Sequence, residues 1–417
     1  MKKYPITPFA RQLLAVLLPG ILMFSSAKPS EAALLSPLAP KPDWSTLQRY
    51  AGTITAGEFA QLLQQVYVPD DSWKKWISLS PAQAMITPAF GSSPISLDLA
   101  PAGSPPKAPP RFWKGRSERL PQPGKPLAGL RIAIDPGHLG GDFAQMEARW
   151  FRIGNSRPVE EGEMTLIVAK FLKQRLERMG AQVWLTRTKN GATTPLRPGN
   201  LKNAAIGSLE EEQQPLTAER LQHEAERLFY RVGEIRNRAS LVNTKIRPDL
   251  VVCLHFNAEE WGDPSHPTLT EVNHLHLILC GALSDQELQH EDERYTMLVK
   301  LLGGTHREEL EASESVSRSL ASATGLPPFI YHGQKAIPAS GNPYLWVRNL
   351  LANRLFECPV VYCEPYVMNS RPVFNRIQLG DYTGRRMIGG VPLPSIYREY
   401  ADAVAQGLAD YYGGTAH

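Results

Sequence analysis

The sequence predicts an α/β fold in which a mostly parallel sheet of about six strands carries helices on both faces. Strand-like runs alternate with helical patterns after residue 127 of this 417-residue chain, and such alternation is typical of parallel sheets. Two of the runs, Val251–Leu254 and Pro359–Tyr362, are apolar throughout. Strands have such uninterrupted apolar runs when both faces of their sheet are covered by other elements. A small helical segment is expected before this sheet.

The elements of the main domain follow one another in an order that supports this fold. Met164–Met179 shows helical spacing of apolar residues and is followed by Gly180, a common helix terminator. The remaining predicted elements are a strand at 181–187, a helix-rich stretch at 215–243, strands at 249–255 and 271–280, a helix at 315–325, a strand at 359–364 and a helix at 395–412.

The amino terminus has the pattern of an export signal. Cations precede a short apolar run, and small residues follow it: Lys2, Lys3, Arg11, the run 13–24, Ser25, Ser26 and Ala27. This predicts a signal peptide over residues 1–27 and export to the periplasm or cell envelope. The alternative is a membrane anchor, although the run is shorter than the roughly 20 residues that span a bilayer. No stable membrane insertion is expected after cleavage.

Composition and charge narrow the class of protein. A hydrophobic content of 42% excludes a largely disordered chain. The formal charge of +4 falls to about +1 when the three leader cations are removed, so no nucleic-acid partner is expected. Cys253, Cys280, Cys358 and Cys363 allow three disulfide pairings after export, but cysteines in apolar runs are more often buried free thiols.

Two regions are expected before the catalytic domain. Residues 34–99 form a small helical N-terminal region, where Thr55 opens a capping box. Its Trp73 and Trp76 are expected to pack in a core, with sugar binding as the alternative. Residues 100–126 are rich in proline and glycine and are expected to be a linker. Residues 127–417 then form the catalytic domain.

Three predicted strands end in residues that can bind a metal or carry a proton. The run starting at Leu130 ends just before His138, a second run delivers His255, and a third delivers Glu364. Open α/β sheets place their chemistry at the carboxyl ends of strands. A helix opens beside Glu161, so two imidazoles and a carboxylate from separate elements, with a further carboxylate nearby, indicate a zinc site.

Several short motifs occur in an order that resembles a known family. They are Asp135-Pro136-Gly137-His138, the helix opening 161–166, Leu185-Thr186-Arg187, the stretch 238–243, the stretch 254–258 and the stretch 364–369. Between Leu130 and Tyr412 the chain is similar to zinc-dependent N-acetylmuramoyl-L-alanine amidases. The resemblance implies a six-stranded α/β fold and hydrolysis of the amide between the lactyl group of muramic acid and L-alanine. Peptidoglycan or muropeptides would be the substrates, and an activating protein is a further expected partner.

The resemblance also implies roles for four residues. His138, Glu161 and His255 would bind Zn²⁺, and Glu364 would be the catalytic carboxylate. Two histidines and one glutamate leave a fourth position for water, as catalytic zinc requires. Thr165-Leu166 sets the register that selects Glu161. Glu163 is the alternative ligand. A second alternative is that these acidic residues only cap the helix.

The sequence departs from the family in three places. The loop 139–155 is longer than usual and bears aromatic residues, which puts the substrate preference in question. His274 and His276 alternate onto one face of a strand, so a second metal site is an alternative to histidines in the core. The polar insertions 190–214 and 281–314 are long for connections in a compact domain. The second contains the charged run 286–293, which would be a solvated helix or a lid that offers a carboxylate to zinc.

An exported zinc amidase is therefore the leading hypothesis. One alternative is an exported zinc carboxypeptidase-like hydrolase of similar architecture. Another is a non-catalytic cell-envelope binding protein. A degenerate binding protein would be free to lose a ligand, whereas His138, Glu161, His255 and Glu364 are all present.

Overall fold

The computed structural model describes residues 34–120, 122–263, 266–333 and 336–414. Within the chain, Ala33–His417 form one compact unit. The predicted signal peptide, residues 1–27, lies outside the described residues and stays a prediction. In the described part of the chain, no helix is both long enough and apolar enough to cross a membrane.

The described residues contain fourteen strands and ten α-helices. The strands are β1 (Ile77–Leu79), β2 (Gln83–Ile86), β3 (Ile95–Asp98), β4 (Arg131–Pro136), β5 (Trp150–Phe151), β6 (Val159–Glu160), β7 (Gln182–Leu185), β8 (Leu250–Leu254), β9 (Leu275–Leu279), β10 (Ile337–Pro338), β11 (Leu345–Val347), β12 (Val360–Pro365), β13 (Arg386–Ile388) and β14 (Val391–Leu393). The helices are α1 (Ala56–Leu62), α2 (Glu161–Arg178), α3 (Lys202–Glu211), α4 (Ala218–Arg227), α5 (Glu234–Leu241), α6 (Glu291–Gly303), α7 (Thr305–Thr324), α8 (Leu351–Leu355), α9 (Arg371–Gln378) and α10 (Ile396–Gly413).

A seven-stranded sheet in the order β10-β11-β9-β12-β8-β4-β7 forms the centre of the molecule. The strands β12, β8, β4 and β7 run parallel to one another, and β11 runs parallel to β9. The contacts of β9 with β12 and of β10 with β11 are antiparallel. The predicted mostly parallel α/β sheet is thus confirmed. The short strands β10 and β11 extend it beyond the strands that the sequence indicated.

Helices cover both faces of the sheet, because the buried side chains of each strand alternate between two cores. Ile132 and Ile134 of β4 join a core with α2, α7 and α10. Ala133, between them, joins a second core with α5 and α8. This two-sided burial explains the apolar runs in β8 and β12.

The N-terminal region contains helix α1, as predicted, and also a three-stranded antiparallel sheet, β1-β2-β3, that the sequence did not indicate. The strands have three or four residues each, too few for an alternating pattern to be recognised. Trp73 and Trp76 are buried at 6% and 2% exposure, which confirms that they pack in a core. The region is tied to the main domain where the backbone N–H groups of Ala282 and Leu283 donate to the carbonyls of Val66 and Tyr67.

The proline-rich segment 100–126 packs against the main domain near residue 113. Trp113 is 2% exposed, and the N–H of Lys114 donates to Asp249 at 2.9 Å. The N–H of Arg116 donates to Glu308 at 3.0 Å. Although the segment has little regular structure, these contacts fix its course over the domain. The proposed domain boundary near residue 127 remains a prediction.

The insertion 281–314 is part of the core, and both predictions for it are wrong. It forms α6 and the first half of α7. Met297, Leu298, Leu301 and Leu302 are each at most 2% exposed, so α6 is not a solvated surface helix. No described residue of this insertion lines the candidate site, so it is not a lid there. The insertion 190–214 contains α3.

The four cysteines are buried free thiols. Cys253 lies on β8 and Cys363 lies on β12, within strands that pack in the sheet. The prediction of buried thiols is confirmed, and none of the three possible disulfide pairings is present among the described residues.

Candidate functional site

The register of three parallel strands brings three of the predicted residues to one edge of the sheet. Leu254 of β8 lies opposite Pro136 of β4 and also opposite Cys363 of β12. His255 and Glu364 are the next residues of their strands, and His138 follows β4 by two residues. The alignment of the strands therefore brings these three residues together, as expected at the carboxyl ends of parallel strands.

The first turn of helix α2 supplies the fourth residue, Glu161. Its side chain is 1% exposed and faces both imidazoles. Two glycines allow this close packing. A Cβ atom on Gly137 would lie 2.2 Å from the ring of His255, and one on Gly162 would lie 2.2 Å from the backbone nitrogen of Gly140. A side chain at either position would push the strand ends and the helix apart.

His138, Glu161 and His255 form a compact group of metal-binding atoms. Oε2 of Glu161 lies 3.2 Å from Nε2 of His138, and Oε1 lies 3.2 Å from Nδ1 of His255. One ligand atom from each residue lies within 4.8 Å of the other two. Ligand atoms of a tetrahedral zinc site, about 2 Å from the metal, are separated by roughly 3.3 Å. The spacing therefore suits one metal ion.

Oε2 of Glu161 is the atom that fits a metal most clearly. It is buried and has no hydrogen-bond partner, although Nε2 of His138 and Nε of Arg149 lie 3.2 and 3.5 Å away. Leaving a buried carboxylate oxygen without a partner is costly. A cation between this oxygen and the two imidazoles would remove that cost, so the residues present fit a metal.

Glu147 orients His138. Its carboxylate lies 3.2 Å from Nδ1 of His138 and accepts hydrogen bonds from the backbone N–H groups of Leu139 and Gly140. With Nδ1 paired in this way, Nε2 is left to face Glu161. Burial lowers the pKa of His138, but Glu161 and Glu147 outweigh it and raise that pKa to about 9.

Two buried arginines hold the loop that carries His138. Arg238 donates to the carbonyls of Pro136 and His138 at 2.8 and 2.9 Å. Arg187 donates to the carbonyls of Pro136 and Gly137 at 3.1 and 3.0 Å. These bonds satisfy carbonyls at the end of β4 and in the loop that follows it. The two motifs noted in the sequence at 185–187 and 238–243 thus support the backbone of the site.

Glu364 lies in the same site and differs from Glu161 in its surroundings. Among the described residues its carboxylate has no hydrogen bond or ion pair, and the residue is half-buried. Burial and the neighbouring charge of Glu161 raise the pKa of Glu364, although His255 opposes them. The pKa of Glu161 is held well below its usual range, since His138, His255 and Arg149 outweigh its burial. Two carboxylates with opposite pKa shifts therefore share one site.

These residues line a cavity of about 490 Å³, a size typical of small-molecule sites. The sheet edge forms its floor. Its walls include Tyr230 and Arg231 from the helical segment Leu228–Gly233, Phe329 and Tyr331 from a loop, and Arg348. The cavity thus has side chains in its walls, beyond the proposed metal ligands, that a substrate could contact.

The alternative ligands do not join the group. Glu163 is exposed, and Glu160 accepts a hydrogen bond from the N–H of Gly141 at 2.9 Å. His276 lies on β9 and His274 directly precedes that strand. Both bond elsewhere: Nε2 of His274 is 3.2 Å from Glu259, and Nε2 of His276 is 3.0 Å from Tyr331. Over the part of the chain that the structure describes, His138, Glu161 and His255 are the only such group of three.

Glu147 and Arg149 are the site residues that the sequence did not reveal. Both lie in the loop 139–155, where no strand or helix pattern marks a direction for their side chains. Arg348 was missed as well, because it follows a three-residue strand. The one available signal was that the loop after His138 is unusually long and therefore a candidate for contacts with the site.

One comparison with known proteins found a family model that matches part of the chain. Residues 132–266 match the family model of N-acetylmuramoyl-L-alanine amidases. The matched segment contains His138, Glu161 and His255 and ends before Glu364. No curated protein sequence matches the chain.

Solved structures with a similar fold have low sequence identity. The chain is similar to the N-acetylmuramyl-L-alanine amidase Ami1 from Mycobacterium smegmatis, with 16% identity, a TM-score of 0.38, and coverage of 69% of this chain and 98% of that one. The CwlD amidase from Clostridioides difficile, solved in complex with the GerS lipoprotein, is 15% identical with a TM-score of 0.37. The match covers 68% of this chain and 98% of that one. The amidase AmiC2 of Nostoc punctiforme is 15% identical with a TM-score of 0.36, and the match covers 68% of this chain and 98% of that one. At these TM-scores the likenesses do not bear on function.

Proposed function

We propose that this chain, whose residues 132–266 match the family model of N-acetylmuramoyl-L-alanine amidases, is a zinc-dependent hydrolase of peptidoglycan. The bond cleaved is the amide between the lactyl group of muramic acid and L-alanine. His138, Glu161 and His255 are the proposed zinc ligands, and Glu364 is the proposed catalytic residue. The observation that carries the proposal is the buried, unpartnered oxygen of Glu161 between two imidazoles, beside a second carboxylate.

Zinc suits the donor set better than a hard cation does. Two imidazole nitrogens and one carboxylate form an established catalytic zinc set that leaves a position open. Mg²⁺ and Ca²⁺ prefer oxygen ligands throughout. A bound zinc ion would supply a Lewis acid for the amide carbonyl and would lower the pKa of a water molecule.

Glu364 is suited to move the proton of the reaction. Its carboxylate has no hydrogen-bond partner among the described residues, so it is available to accept a proton from the attacking water. Hydrolysis then requires that the departing amine of L-alanine receive a proton, and the same group can return it. The raised pKa of Glu364 favours this exchange, whereas the lowered pKa of Glu161 keeps that residue ionised as a ligand.

The cell wall as substrate implies action outside the cytoplasm. Export to the periplasm or cell envelope through the leader at residues 1–27 is therefore part of the proposal. Amino-terminal sequencing of the envelope-associated protein tests it. A mature chain that begins near Lys28 would support export with cleavage, and a chain that still begins at Met1 would support the membrane anchor. An activating protein partner remains a prediction.

Digestion of muropeptides followed by mass analysis tests the reaction. The proposal predicts release of stem peptides that begin with L-alanine, together with sugars that carry a free lactyl carboxylate. Peptides shortened at the carboxyl end would instead identify a carboxypeptidase-like hydrolase. Unchanged sacculi that retain the protein would identify a non-catalytic binding protein. The Glu364→Gln protein serves as the matched control for contaminating hydrolases.

A further inference from the structure

One cation in the cavity has no role in the proposed reaction. Arg348 directly follows β11, and it lines the cavity with Tyr331, His276 and Glu364. Its side chain is half-buried. The guanidinium makes one long side-chain hydrogen bond, 3.4 Å from Nη1 to the hydroxyl of Tyr331. Over the described ranges it has no ion pair with a carboxylate.

Two arginines on later helices are paired with carboxylates, in contrast. Arg354 of α8 lies 3.1 Å from Glu293, and Arg376 of α9 lies 2.8 Å from Glu399. A guanidinium has five N–H donors, so Arg348 keeps most of its donors without a protein partner. Such a group in a cavity wall is suited to bind an anion.

Arg348 is fixed in place by a chain of hydrogen bonds. A guanidinium can only donate, so the oxygen of Tyr331 accepts from Arg348. The hydroxyl proton of Tyr331 is then directed to Nε2 of His276, 3.0 Å away. His276 is 2% exposed and lies opposite Glu364 in the sheet register. The chain therefore connects Arg348 to the strand pair that carries the catalytic carboxylate.

His276 can accept that proton because it is neutral. Burial, with His274 and Arg348 adding to it, lowers the pKa of His276 to about 3. Its own proton is then on Nδ1, which is buried and has no hydrogen-bond partner. Nε2 of His276 is therefore free to accept the hydroxyl proton of Tyr331.

Apart from Glu364, which the proposed reaction uses, the acidic residues of the cavity are committed to other partners. Glu147 binds His138 and two backbone N–H groups, Glu161 faces two imidazoles, and Asp135 and Glu234 pair with Arg238 at 3.2 and 2.7 Å. Arg231 is a further cation of the cavity wall, and it is exposed. Beyond the proposed metal site and Glu364, the charge of the wall that has no partner is therefore positive. A ligand that reaches it would carry negative charge.

We propose that Arg348, positioned by Tyr331 and His276, binds a free carboxylate on the peptide part of the substrate. This selects muropeptides whose peptides carry free carboxyl groups over the corresponding carboxamides. A planar guanidinium can hold a carboxylate through two parallel hydrogen bonds, which a carboxamide cannot reproduce. The inference rests on the proposed amidase function and names the substrate class of that site.

The test compares two synthetic substrates, N-acetylmuramoyl-L-alanyl-D-glutamic acid and its diamide. The zinc-loaded wild-type protein should favour the acid by about 10- to 100-fold in kcat/KM, the range of a charged hydrogen bond. Arg348→Gln should bring that ratio close to one, mainly through KM for the acid. Arg348→Lys should restore part of the preference, because it keeps the charge and loses the planar fork. Tyr331→Phe should lower the preference by a smaller factor.

The matched control is Arg307→Gln, which removes an exposed arginine that pairs with Glu311 on the same helix. It should leave the ratio of the two substrates as in the wild type. Thermal unfolding of each variant checks that the fold is intact. A wild type that cleaves both substrates equally, or an Arg348→Gln protein that keeps the preference, would overturn the inference. An equal loss of kcat/KM on both substrates in Arg348→Gln would also overturn the inference, since it would indicate a structural role for Arg348.

Failure of the amidase proposal has a different signature. In that case the zinc-loaded wild type cleaves neither substrate. Calorimetric binding of L-alanyl-D-glutamic acid and its diamide then decides the inference without turnover. Preference for the acid in the wild type and its loss in Arg348→Gln would support the carboxylate site. Equal binding of the two peptides, or no binding of either, would overturn it.

Discussion

His138 is held in an unusual backbone conformation at the centre of the site. Its φ of 60° lies in the left-handed region, which residues other than glycine rarely adopt. Arg238 binds its carbonyl and Glu147 binds its ring, so both parts of the residue are fixed. Strain of this kind persists only where surrounding contacts determine it, and it is common at functional sites.

Glu147→Gln should weaken zinc binding by about 10- to 100-fold, because a carboxylate that bonds to a ligating histidine orients the ring and raises its basicity. The amide keeps one acceptor for the backbone N–H groups but loses the charge beside Nδ1 of His138. Competition with a chromogenic chelator measures the change. Glu163→Gln, on the exposed side of the same helix start, should bind zinc as the wild type does. Equal affinity in both variants would show that Glu147 does not support the metal.

Glu364→Gln should keep zinc and the fold and lose about 10²- to 10⁴-fold in turnover, the usual contribution of a positioned acid-base group. The amide has a similar shape and cannot take the proton. Steady-state rates on a soluble muropeptide and metal content of the same sample provide the measurement. Near-normal turnover in a zinc-replete variant would remove Glu364 from the mechanism.

A buried ion pair fixes the entry to β12, the strand that delivers Glu364. Lys300 of α6 and Glu309 of α7 are both fully buried and bonded to each other. Lys300 also donates to the carbonyls of Phe356 and Cys358, and Glu309 accepts from the N–H of Val360. Two helices that begin in the insertion 281–314 therefore anchor the strand that carries Glu364.

Lys300→Met should destabilise the protein by about 3 to 5 kcal/mol, because it leaves the carboxylate of Glu309 buried without its partner. The double variant Lys300→Met, Glu309→Leu should recover much of that loss, since both charges are then gone. Urea unfolding followed by circular dichroism measures both. A double variant that is less stable than the single one would show that hydrogen bonds to the backbone dominate.

The position of a strand could be predicted where its residue pattern depends directly on the burial of its two faces. The runs that end at His255 and Glu364 are apolar because both faces are buried, so their ends could be placed from the sequence. The direction of β9 could not be predicted, because an antiparallel strand between helices has the same residue pattern as a parallel strand. The burial of α6 was hidden by its charged first turn, although Met297 and Leu301 stand at helical spacing. Glu147 reaches His138 through a loop, where sequence spacing does not determine contact.

At the scale of the whole molecule, acid should destabilise the fold through buried neutral histidines. Burial, with Lys300 adding to it, lowers the pKa of His306 to about 4, and the pKa of His276 is lowered to about 3. The unfolded chain takes up these protons near pH 6.5, before the folded chain does. The free energy of unfolding should therefore fall as the pH drops from 6.5 to about 4. His138 acts in the opposite sense in the metal-free protein, and only between pH 6.5 and 9.

His306→Gln isolates this effect. The wild type should lose on the order of 3 kcal/mol more than the variant between pH 6.5 and 4, from the shift at this one histidine. Urea midpoints at several pH values measure the difference. His223→Gln, at an exposed histidine, should follow the wild type. Parallel pH profiles for wild type and His306→Gln would contradict the explanation.

Zinc restoration of the metal-free protein tests the central claim most directly. Protein stripped with a chelator should cleave no lactyl–alanine amide, and activity should rise in proportion to added Zn²⁺ until one ion is bound per chain. His276→Ala should also recover bound zinc, whereas His138→Ala and His255→Ala should recover neither zinc nor activity. Amide cleavage that persists without metal, or full restoration of zinc and activity in His255→Ala, would contradict the assignment of this site.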